Sequence, residues 1–271
     1  MRVENKVIVV TGGGNGIGRE LVLNLLSKGA RVAAVDINEA ALQETAELAG
    51  SNKTNLSTRV VDITNKDAVA ALPEQVIARH NVVDGVINNA GIIQPFVRVN
   101  ELDYAAIERV MNVNFYGTLY MTKAFLPHLL KRPEAHIANL SSMGGFLPVP
   151  GQSLYGASKA AVKLFTEALH SELQNTNVGV TVVFPGAIGT NIAANSGVAN
   201  TLRVKNVDQE RIARTLAPSK AAEIIIDGIE QNRYRVMVGS DATFLDRFYR
   251  LSPERAANFI YKQMKSLLQE K

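Results

Sequence analysis

A tyrosine and a lysine stand four residues apart in the sequence, at Tyr155 and Lys159. In a helix, residues at this spacing share a face, so an ammonium group lies beside a phenol. A tyrosine with a pKa near 10 is a poor base at neutral pH, but lowering that pKa by about 3 units, or roughly 4 kcal/mol, makes it effective. A neighbouring positive charge lowers a phenol pKa in this way. The pair predicts acid–base chemistry, although by itself it also fits an exposed tyrosine beside a solvated lysine.

A glycine-rich segment, TGGGNGIG at 11–18, directly follows an apolar run and leads into a helical pattern. Gly12, Gly16 and Gly18 have the spacing that places a pyrophosphate on the N-terminus of a helix. Asp36 ends the second apolar run, 18 residues after Gly18. This is close to the spacing of about 20 residues at which a carboxylate binds the ribose of a dinucleotide. The combination predicts a dinucleotide site rather than a structural turn followed by a helix-capping aspartate.

Asp36 also indicates which nicotinamide cofactor is used. A carboxylate accepts hydrogen bonds from both ribose hydroxyls but repels a 2′-phosphate. The next residue, Ile37, offers no cation to hold such a phosphate. The sequence therefore favours NAD over NADP.

Seven apolar, β-rich runs supply the elements that position these residues, at 6–11, 31–36, 57–62, 82–88, 135–141, 178–184 and 234–239. Most are continuous rather than alternating, as expected for parallel strands covered by helices on both faces, and helical stretches separate them. No linker or repeat divides the chain, so we expect an α/β fold in one doubly wound domain over 1–271. Ligands bind beyond the carboxyl ends of such strands, where the motifs stand.

Further motifs follow in order: NNAG at 88–91, NVNFYG at 112–117, Ser142 thirteen residues before Tyr155, and PGAIGT at 185–190. With the glycine and tyrosine–lysine motifs, they make the sequence resemble the short-chain dehydrogenase/reductase family over about residues 6–190. The resemblance implies a single Rossmann-type domain with a seven-stranded parallel sheet. It also implies hydride transfer between NAD(P) and a secondary alcohol or its ketone.

The resemblance assigns four catalytic residues. Tyr155 is implied as the acid/base, and Lys159 as the group that lowers its pKa and holds the nicotinamide ribose. Ser142 is implied to bind the substrate oxygen, whereas Ser141 is interpreted as structural. Asn114 is implied to anchor a water that relays protons toward the lysine.

The predicted cofactor-binding set combines the glycine motif and Asp36 with residues that the resemblance adds. Asp62 is implied at the adenine amino group, and Ile188 with Thr190 at the carboxamide. Strand-end caps, a structural turn and a helix N-cap are the alternative interpretations of these positions. The full set is Gly12, Asn15, Gly16, Ile17, Gly18, Asp36, Asp62, Ile63, Asn89, Ala90, Gly91, Tyr155, Lys159, Ile188 and Thr190.

Composition argues against other classes of function. There is no cysteine, and the four histidines form no HExxH pair, so we expect no metal. Residues 247–271 carry a net charge of +4, and the rest of the chain has a net charge of zero. Because the body of the protein has no basic stripe, we do not expect it to bind nucleic acid. The N-terminus has no signal-peptide core and no apolar stretch is long enough to cross a membrane, so we expect a cytoplasmic protein.

The segments expected around the substrate are neutral and mostly small or apolar, at 94–96, 143–146 and 186–202, the last within a substrate-loop region of about 186–216. They favour a hydrophobic alcohol or ketone and argue against a phosphorylated substrate. Two rival functions are an NAD-binding sensor or scaffold without turnover and a sugar-nucleotide epimerase. The latter shares the tyrosine–lysine pair but usually has a longer C-terminal domain and a different glycine spacing.

Two expectations concern assembly. The resemblance implies a homo-oligomer, a dimer or tetramer, formed through helices within 101–131 and 153–175. The tail at 253–271 predicts an amphipathic helix whose apolar stripe packs on the domain or a partner subunit. The alternative is that this basic helix contacts an anionic membrane surface. The stripe comprises Ala256, Ala257, Ile260, Met264, Leu267 and Leu268.

Overall fold

A parallel sheet of seven strands forms the centre of the protein in the computed structural model, which describes residues 1–198 and 215–265. The strands are β1 (Val7–Thr11), β2 (Arg31–Asp36), β3 (Leu56–Val60), β4 (Gly85–Asn88), β5 (Ala135–Leu140), β6 (Val178–Pro185) and β7 (Arg235–Val238). Their order in the sheet is β3-β2-β1-β4-β5-β6-β7, and all pairs are parallel. The predicted fold class is confirmed.

One strand starts later than its apolar run suggests. The run begins at Val82, but β4 begins at Gly85. The buried side chain of Asp84 accepts a hydrogen bond from the Val7 backbone N–H at 2.9 Å. Because Arg132 also binds Asp84, at 2.7 Å, this carboxylate anchors the chain just before β4.

Helices connect the strands and cover both faces of the sheet. They are α1 (Gly16–Ser27), α2 (Glu39–Leu48), α3 (Lys66–His80), α4 (Tyr104–Met111), α5 (Thr118–Leu129), α6 (Ser153–Glu172), α7 (Ile192–Asn195), α8 (Pro218–Glu230), α9 (Ser240–Leu251) and α10 (Pro253–Met264). A π-helical turn, Asn112–Gly117, joins α4 to α5. Residues 199–214 of the substrate-loop region lie outside the described residues.

Alternation along the strands explains why their sequence is continuously apolar. In β1, Ile8 and Val10 pack toward α1 and α8, whereas Val7 and Val9 pack toward α3, α5 and α6. Successive strand residues point to opposite faces, so a strand buried on both needs an apolar residue at every position. The fold thereby fixes the carboxyl ends of the strands along one edge.

The C-terminal helix packs on the body of the protein. Ala256 and Ile260 are buried in a cluster with Leu147 and Leu245, and Met264 lies against it. The expected packing of the amphipathic tail is therefore found for α10, while Leu267 and Leu268 lie outside the described residues. Within the described part of the chain, no helix is both long and apolar enough to span a bilayer.

Candidate active site

A cleft of about 1000 Å³ opens beyond the carboxyl ends of the strands. The chain leaves β1 toward β2 and β3, then returns to β4 on the other side of β1. Open parallel sheets bind ligands at this kind of switch point. The cleft brings together most of the predicted residues: Gly12, Asn15, Gly16, Ile17, Asp36, Asp62, Ile63, Asn89, Ala90, Gly91, Ser142, Tyr155, Lys159, Ile188 and Thr190.

The glycine-rich turn requires its glycines. Gly12 and Gly16 have φ values of +68° and +53°, which side chains disfavour. A Cβ on Gly18 would lie 1.9 Å from the Gly12 carbonyl oxygen, so Gly18 allows close packing of α1 and does not itself line the cleft. The turn thus leaves the N-terminus of α1 facing the cleft without side chains in the way. This geometry fits a dinucleotide pyrophosphate.

Asn15 starts the helix at this turn. Its Oδ1 accepts a hydrogen bond from the Gly16 N–H at 2.7 Å, and both Asn15 and Ile17 line the cleft. An asparagine in this position satisfies one of the free N–H groups of the first turn. Asn15 therefore combines a capping contact with a place in the predicted cofactor site.

The Asp36 carboxylate is held by backbone groups at the end of β2. Its Oδ2 accepts from the Gly14 N–H and its Oδ1 from the Asn38 N–H, each at 3.0 Å. A nearby cation, Arg19, is bound by Glu44 at 2.6 Å and donates to the Gly14 carbonyl at 2.7 Å. The Asp36 carboxylate is therefore a fixed negative charge beside the glycine turn. The Arg19 guanidinium next to it is already bound by Glu44 and by the Gly14 carbonyl.

Asp62 and Ile63 form the neighbouring wall after β3. Asp62 Oδ1 accepts hydrogen bonds from the Thr64 N–H at 2.9 Å and from its hydroxyl at 2.8 Å. Ile63 is buried against Gly117. A Cβ on Gly117 would lie 2.6 Å from Ile63 Cδ1, too close for any other residue at position 117 without rearrangement. Asp62 thus makes the local capping contacts of a strand end, and both residues face the cleft.

Residues 89–91 are tied to β1 by Thr11, which the sequence analysis did not single out. The Thr11 hydroxyl accepts from the N–H groups of Asn89 and Ala90 at 3.0 and 3.1 Å, and Asn89 Nδ2 donates to the Thr11 carbonyl at 2.9 Å. The position of Thr11, at the strand end and opening the glycine motif, was the available signal. Thr11 thereby aligns two walls of the cleft.

Ser142, Tyr155 and Lys159 meet between β5 and α6. The Ser142 hydroxyl accepts from the Gly144 N–H at 3.0 Å. The Tyr155 ring lies beside it, since a Cβ on Gly144 would lie 3.3 Å from Tyr155 Cε1 and 3.5 Å from Ser142 Oγ. Lys159, one helical turn after Tyr155, donates through Nζ to the Leu140 carbonyl at 2.9 Å. Ser141 instead donates to the Lys159 carbonyl at 2.7 Å, a contact that ties β5 to α6.

The electrostatics differ from the sequence-based expectation that Lys159 lowers the pKa of Tyr155. Burial raises the pKa of Tyr155, and the hydrogen bond with Ser142 opposes this shift. Burial also lowers the pKa of Lys159 to about 8. The prediction of a lowered tyrosine pKa is therefore wrong for this structure, because removal of the phenolate from water outweighs the favourable interaction.

Asn114 lies behind the cleft rather than in its lining. It is buried in the π-helical turn, where Oδ1 accepts from the Ile92 N–H at 2.8 Å and Nδ2 donates to the Ile92 carbonyl at 2.9 Å. A Cβ on Gly91 would lie 3.0 Å from Lys159 Nζ and 3.3 Å from Asn114 Oδ1. Asn114 thus fixes the loop after β4 beside the lysine.

Ile188 and Thr190 bring the segment after β6 against the glycine turn. Ile188 forms an isolated parallel bridge with Leu216. The Thr190 methyl group would lie 3.3 Å from a Cβ on Gly16. Both residues line the cleft, with Thr190 beside the first residue of α1.

Two glutamines near Tyr155 were not identified as site residues by the sequence analysis. Gln94, expected within a pocket segment, is fully buried, and its Oε1 accepts from the N–H groups of Leu154 and Tyr155. Gln152 lines the cleft and donates through Nε2 to the Gln94 carbonyl at 2.8 Å. These contacts span about 60 positions of the chain, so local spacing gives no signal for them.

The opposite end of the cleft is largely apolar. All three expected pocket segments contribute, for example through Phe96, Met143 and Ile192, and the C-terminal helix contributes Met264. The sequence analysis placed Met264 in an apolar stripe but not at the cleft. Ile93, Val149 and Asn195 also line the cleft, as do the charged residues Glu108 and Arg109 of α4.

Comparison with known proteins places the chain in a family. Residues 6–200 match the family model described as short chain dehydrogenase. SadH of Mycobacterium tuberculosis, assigned as an oxidoreductase, is 40% identical over 257 residues, covering 92% of this chain and 91% of SadH. Dehydrogenase/reductase SDR family member 7B of Mus musculus is 31% identical over 240 residues, covering 87% of this chain and 74% of that protein.

Solved structures agree with this result. A short-chain dehydrogenase/reductase from Burkholderia phymatum, in complex with NAD, superposes with a TM-score of 0.83 and 25% identity, covering 94% of this chain and 96% of that one. A short-chain dehydrogenase from Burkholderia cenocepacia, in complex with NADP, superposes with a TM-score of 0.80 and 27% sequence identity. The match covers 96% of this chain and 99% of that one. The chain therefore belongs to the short-chain dehydrogenase family of nicotinamide-dependent oxidoreductases.

Proposed function

We propose that this protein interconverts a hydrophobic secondary alcohol and its ketone with NAD as the redox cofactor. The observation that carries the proposal is that Ser142 and Tyr155 lie side by side next to Gly144 in the lining of the cleft, with Lys159 one helical turn further. A substrate oxygen placed between the two hydroxyl groups receives a hydrogen bond from each. Such an arrangement supports proton transfer at that oxygen.

Each of these side chains has a separate task. Tyr155 donates its phenol proton to the ketone oxygen in reduction and, in its deprotonated form, takes the hydroxyl proton in oxidation, while Ser142 holds that oxygen. Lys159 and Asn114 lie next to Gly91. From this position the Lys159 ammonium would hold the nicotinamide ribose of a bound cofactor. The bound cofactor supplies the hydride acceptor or donor. Because burial raises the pKa of Tyr155, the phenol carries the proton that reduction requires.

The preference for NAD rests on Asp36. Its carboxylate is fixed by the N–H groups of Gly14 and Asn38, so it cannot easily swing away from a 2′-phosphate. Ile37 beside it is exposed and apolar. The adjacent cation Arg19 is bound by Glu44, which leaves it poorly placed to neutralise a phosphate.

The apolar end of the cleft supports a hydrophobic substrate. Phe96, Val149 and Met264 surround the space beyond Tyr155 with hydrocarbon and thioether groups. Burying an apolar substrate surface there gains about 25 cal/mol per Å². A phosphorylated substrate would lose its hydration without a comparable gain.

A panel of secondary alcohols tests the function. Purified protein with NAD is incubated with aliphatic, aromatic and polycyclic alcohols, and nicotinamide absorbance is followed. We expect NADH to form with at least one apolar alcohol, and its ketone to be consumed with NADH. Failure of every alcohol and ketone, with intact NAD binding, would favour the non-catalytic sensor instead.

We also infer that the chain forms one catalytic domain that assembles into a homo-oligomer. The glycine motif follows β1 and the Tyr155–Lys159 pair lies in α6, which precedes β6 of the same sheet. Tyr104 on α4 and Leu164 on α6 are 84% and 67% exposed, within the segments expected to form the interface. Light scattering at micromolar concentration is expected to give a dimer or tetramer, and a monomeric mass would contradict the assembly.

A further inference from the structure

The helix that carries Tyr155 is capped by a residue from a distant part of the chain. The first N–H groups of any α-helix have no partner within the helix. Gln152, the residue before α6, makes no side-chain capping bond. Instead, Gln94 Oε1 accepts from the Leu154 N–H at 2.7 Å and from the Tyr155 N–H at 3.1 Å. The cap therefore acts directly on the backbone of Tyr155.

Gln94 is held in this position by contacts on both sides. Its side chain is fully buried, and its Nε2 donates to the Gly151 carbonyl at 3.0 Å. Its own backbone carbonyl accepts from Gln152 Nε2 at 2.8 Å. The amide orientation is thus fixed, because reversing it would place N–H groups against the helix N–H groups.

The same residue connects the two halves of the candidate site. Gln94 stands three residues after Gly91, in the loop that follows β4 and that Asn114 holds through Ile92. Through its amide this loop is bound to the start of α6, which carries both Tyr155 and Lys159. Loss of this bond would therefore let the phenol shift relative to residues 89–91, the wall that would hold the nicotinamide ribose.

We infer that Gln94 is a positioning residue that sets the place and orientation of Tyr155 against the bound cofactor and substrate. This inference rests on the proposed oxidoreductase function. Small displacements of a reacting group reduce rates strongly even when binding is preserved. Loss of the cap should therefore lower kcat far more than it weakens cofactor binding.

Three variants isolate this role. Gln94→Met keeps the size and removes the acceptor. Gln94→Glu keeps an acceptor oxygen for the helix N–H groups, replaces the Nε2 donor to Gly151 by a second oxygen, and adds a negative charge at the start of the helix that carries the phenol. Thr166→Val is the matched control, because it removes a buried hydrogen bond from Asn139 to the same helix, about three turns beyond Tyr155. Steady-state kinetics, NADH binding by fluorescence and thermal unfolding are measured for each.

We expect Gln94→Met to lower kcat by about tenfold or more, with KM and the Kd for NADH changed by less than about threefold. Gln94→Glu should restore at least about a third of the wild-type kcat at its own optimum. Its kcat/KM profile should move to higher pH, since a negative charge raises the pKa of a nearby phenol. Thr166→Val should lose stability but keep its kcat.

A folded Gln94→Met protein with wild-type kcat would overturn the inference. If Gln94→Met does not fold, Gln94→Glu decides the question. A pH profile of kcat/KM that does not move, together with a kcat below about a third of the wild-type value, would also overturn the inference. Equal kcat losses in Gln94→Met and Thr166→Val would also contradict it, since helix stability alone would then explain the effect. Failure of the proposed function is separate, because wild-type protein would then be inactive on every alcohol.

Discussion

The two ends of the cleft are built in different ways. At the nucleotide end, backbone groups and short polar side chains hold one another, as when Asp36 accepts from the Gly14 N–H and Thr11 from the Asn89 N–H. At the substrate end, apolar side chains from separate segments meet, among them Phe96, Val149 and Met264. Hydrogen bonds fix positions within a few tenths of an ångström, whereas apolar contacts fix mainly volume.

This difference indicates which changes each end tolerates. A substitution at the nucleotide end alters a specific bond, so its effect should be confined to cofactor choice or cofactor binding. A substitution at the substrate end alters a volume, so its effect should be graded and depend on the substrate. Tyr155 and Lys159 stand where the two ends meet, and changes there should be the most severe.

The largest effect is expected from Tyr155→Phe. Removing the hydroxyl eliminates the proton donor but keeps the ring, so kcat/KM should fall by more than about a hundredfold. The Kd for NADH should stay within about twofold, because the nucleotide end is untouched. Substantial residual activity would refute the mechanism, and a sensor protein would be indifferent to the change.

Lys159→Met is expected to affect both ends and to change the pH dependence of stability. Activity and NADH affinity should both fall, because the ammonium group is assigned to the tyrosine and to the ribose. Burial lowers the folded-state pKa of Lys159 from 10.5 to about 8. Between these values the unfolded chain binds the proton and the folded chain does not, so wild-type stability rises with pH in this window.

Urea unfolding of wild-type protein and Lys159→Met measures that slope. From pH 7.5 to 10.5, the free energy of unfolding of the wild type should increase relative to the variant by about 3 kcal/mol. Comparing the two proteins cancels the titration of all other groups that they share. A constant difference across this range would show that the lysine is not desolvated in the folded state.

The contrast between the two ends also explains what the sequence could predict. The seven strands and the glycine motif depend on neighbouring residues, so apolar runs and spacing were sufficient. The Gln94 cap and the position of Met264 depend on contacts between distant segments. The pKa of Tyr155 was predicted in the wrong direction because burial, which raises it, cannot be derived from the spacing to Lys159.

At the nucleotide end, Asp36→Ala should narrow the preference for NAD over NADP. Loss of the negative charge relieves its repulsion of a 2′-phosphate, and the ratio of kcat/KM values should fall by about tenfold. Asp36→Asn is the matched control, because it keeps an acceptor for Gly14 or Asn38 and removes only the charge. If the ratio of kcat/KM for NAD to kcat/KM for NADP falls equally in both variants, the preference is due to the charge of Asp36. A wild-type preference for NADP would refute the assignment of NAD as the cofactor.

The smallest effect is expected at the substrate end, from Met264→Ala. Removing the side chain takes away apolar contact worth about 1 kcal/mol, so KM for a large apolar alcohol should rise about fivefold. NADH affinity and the KM for a small alcohol should stay unchanged, and exposed Lys265→Ala serves as the control. An unchanged KM for large alcohols would remove Met264 from the substrate wall.

The C-terminal helix α10 also allows a test of whether the tail packs on the protein or contacts a membrane. Ala256 and Ile260 are already buried against Leu147 and Leu245, so this part of the apolar stripe is not available to a bilayer. We therefore expect the full-length chain and a chain ending at Ser252 to show equally little co-sedimentation with anionic liposomes, while the shorter chain unfolds at a lower temperature. Strong binding by the full-length chain that is lost on truncation would contradict the packing interpretation and support contact through the basic tail.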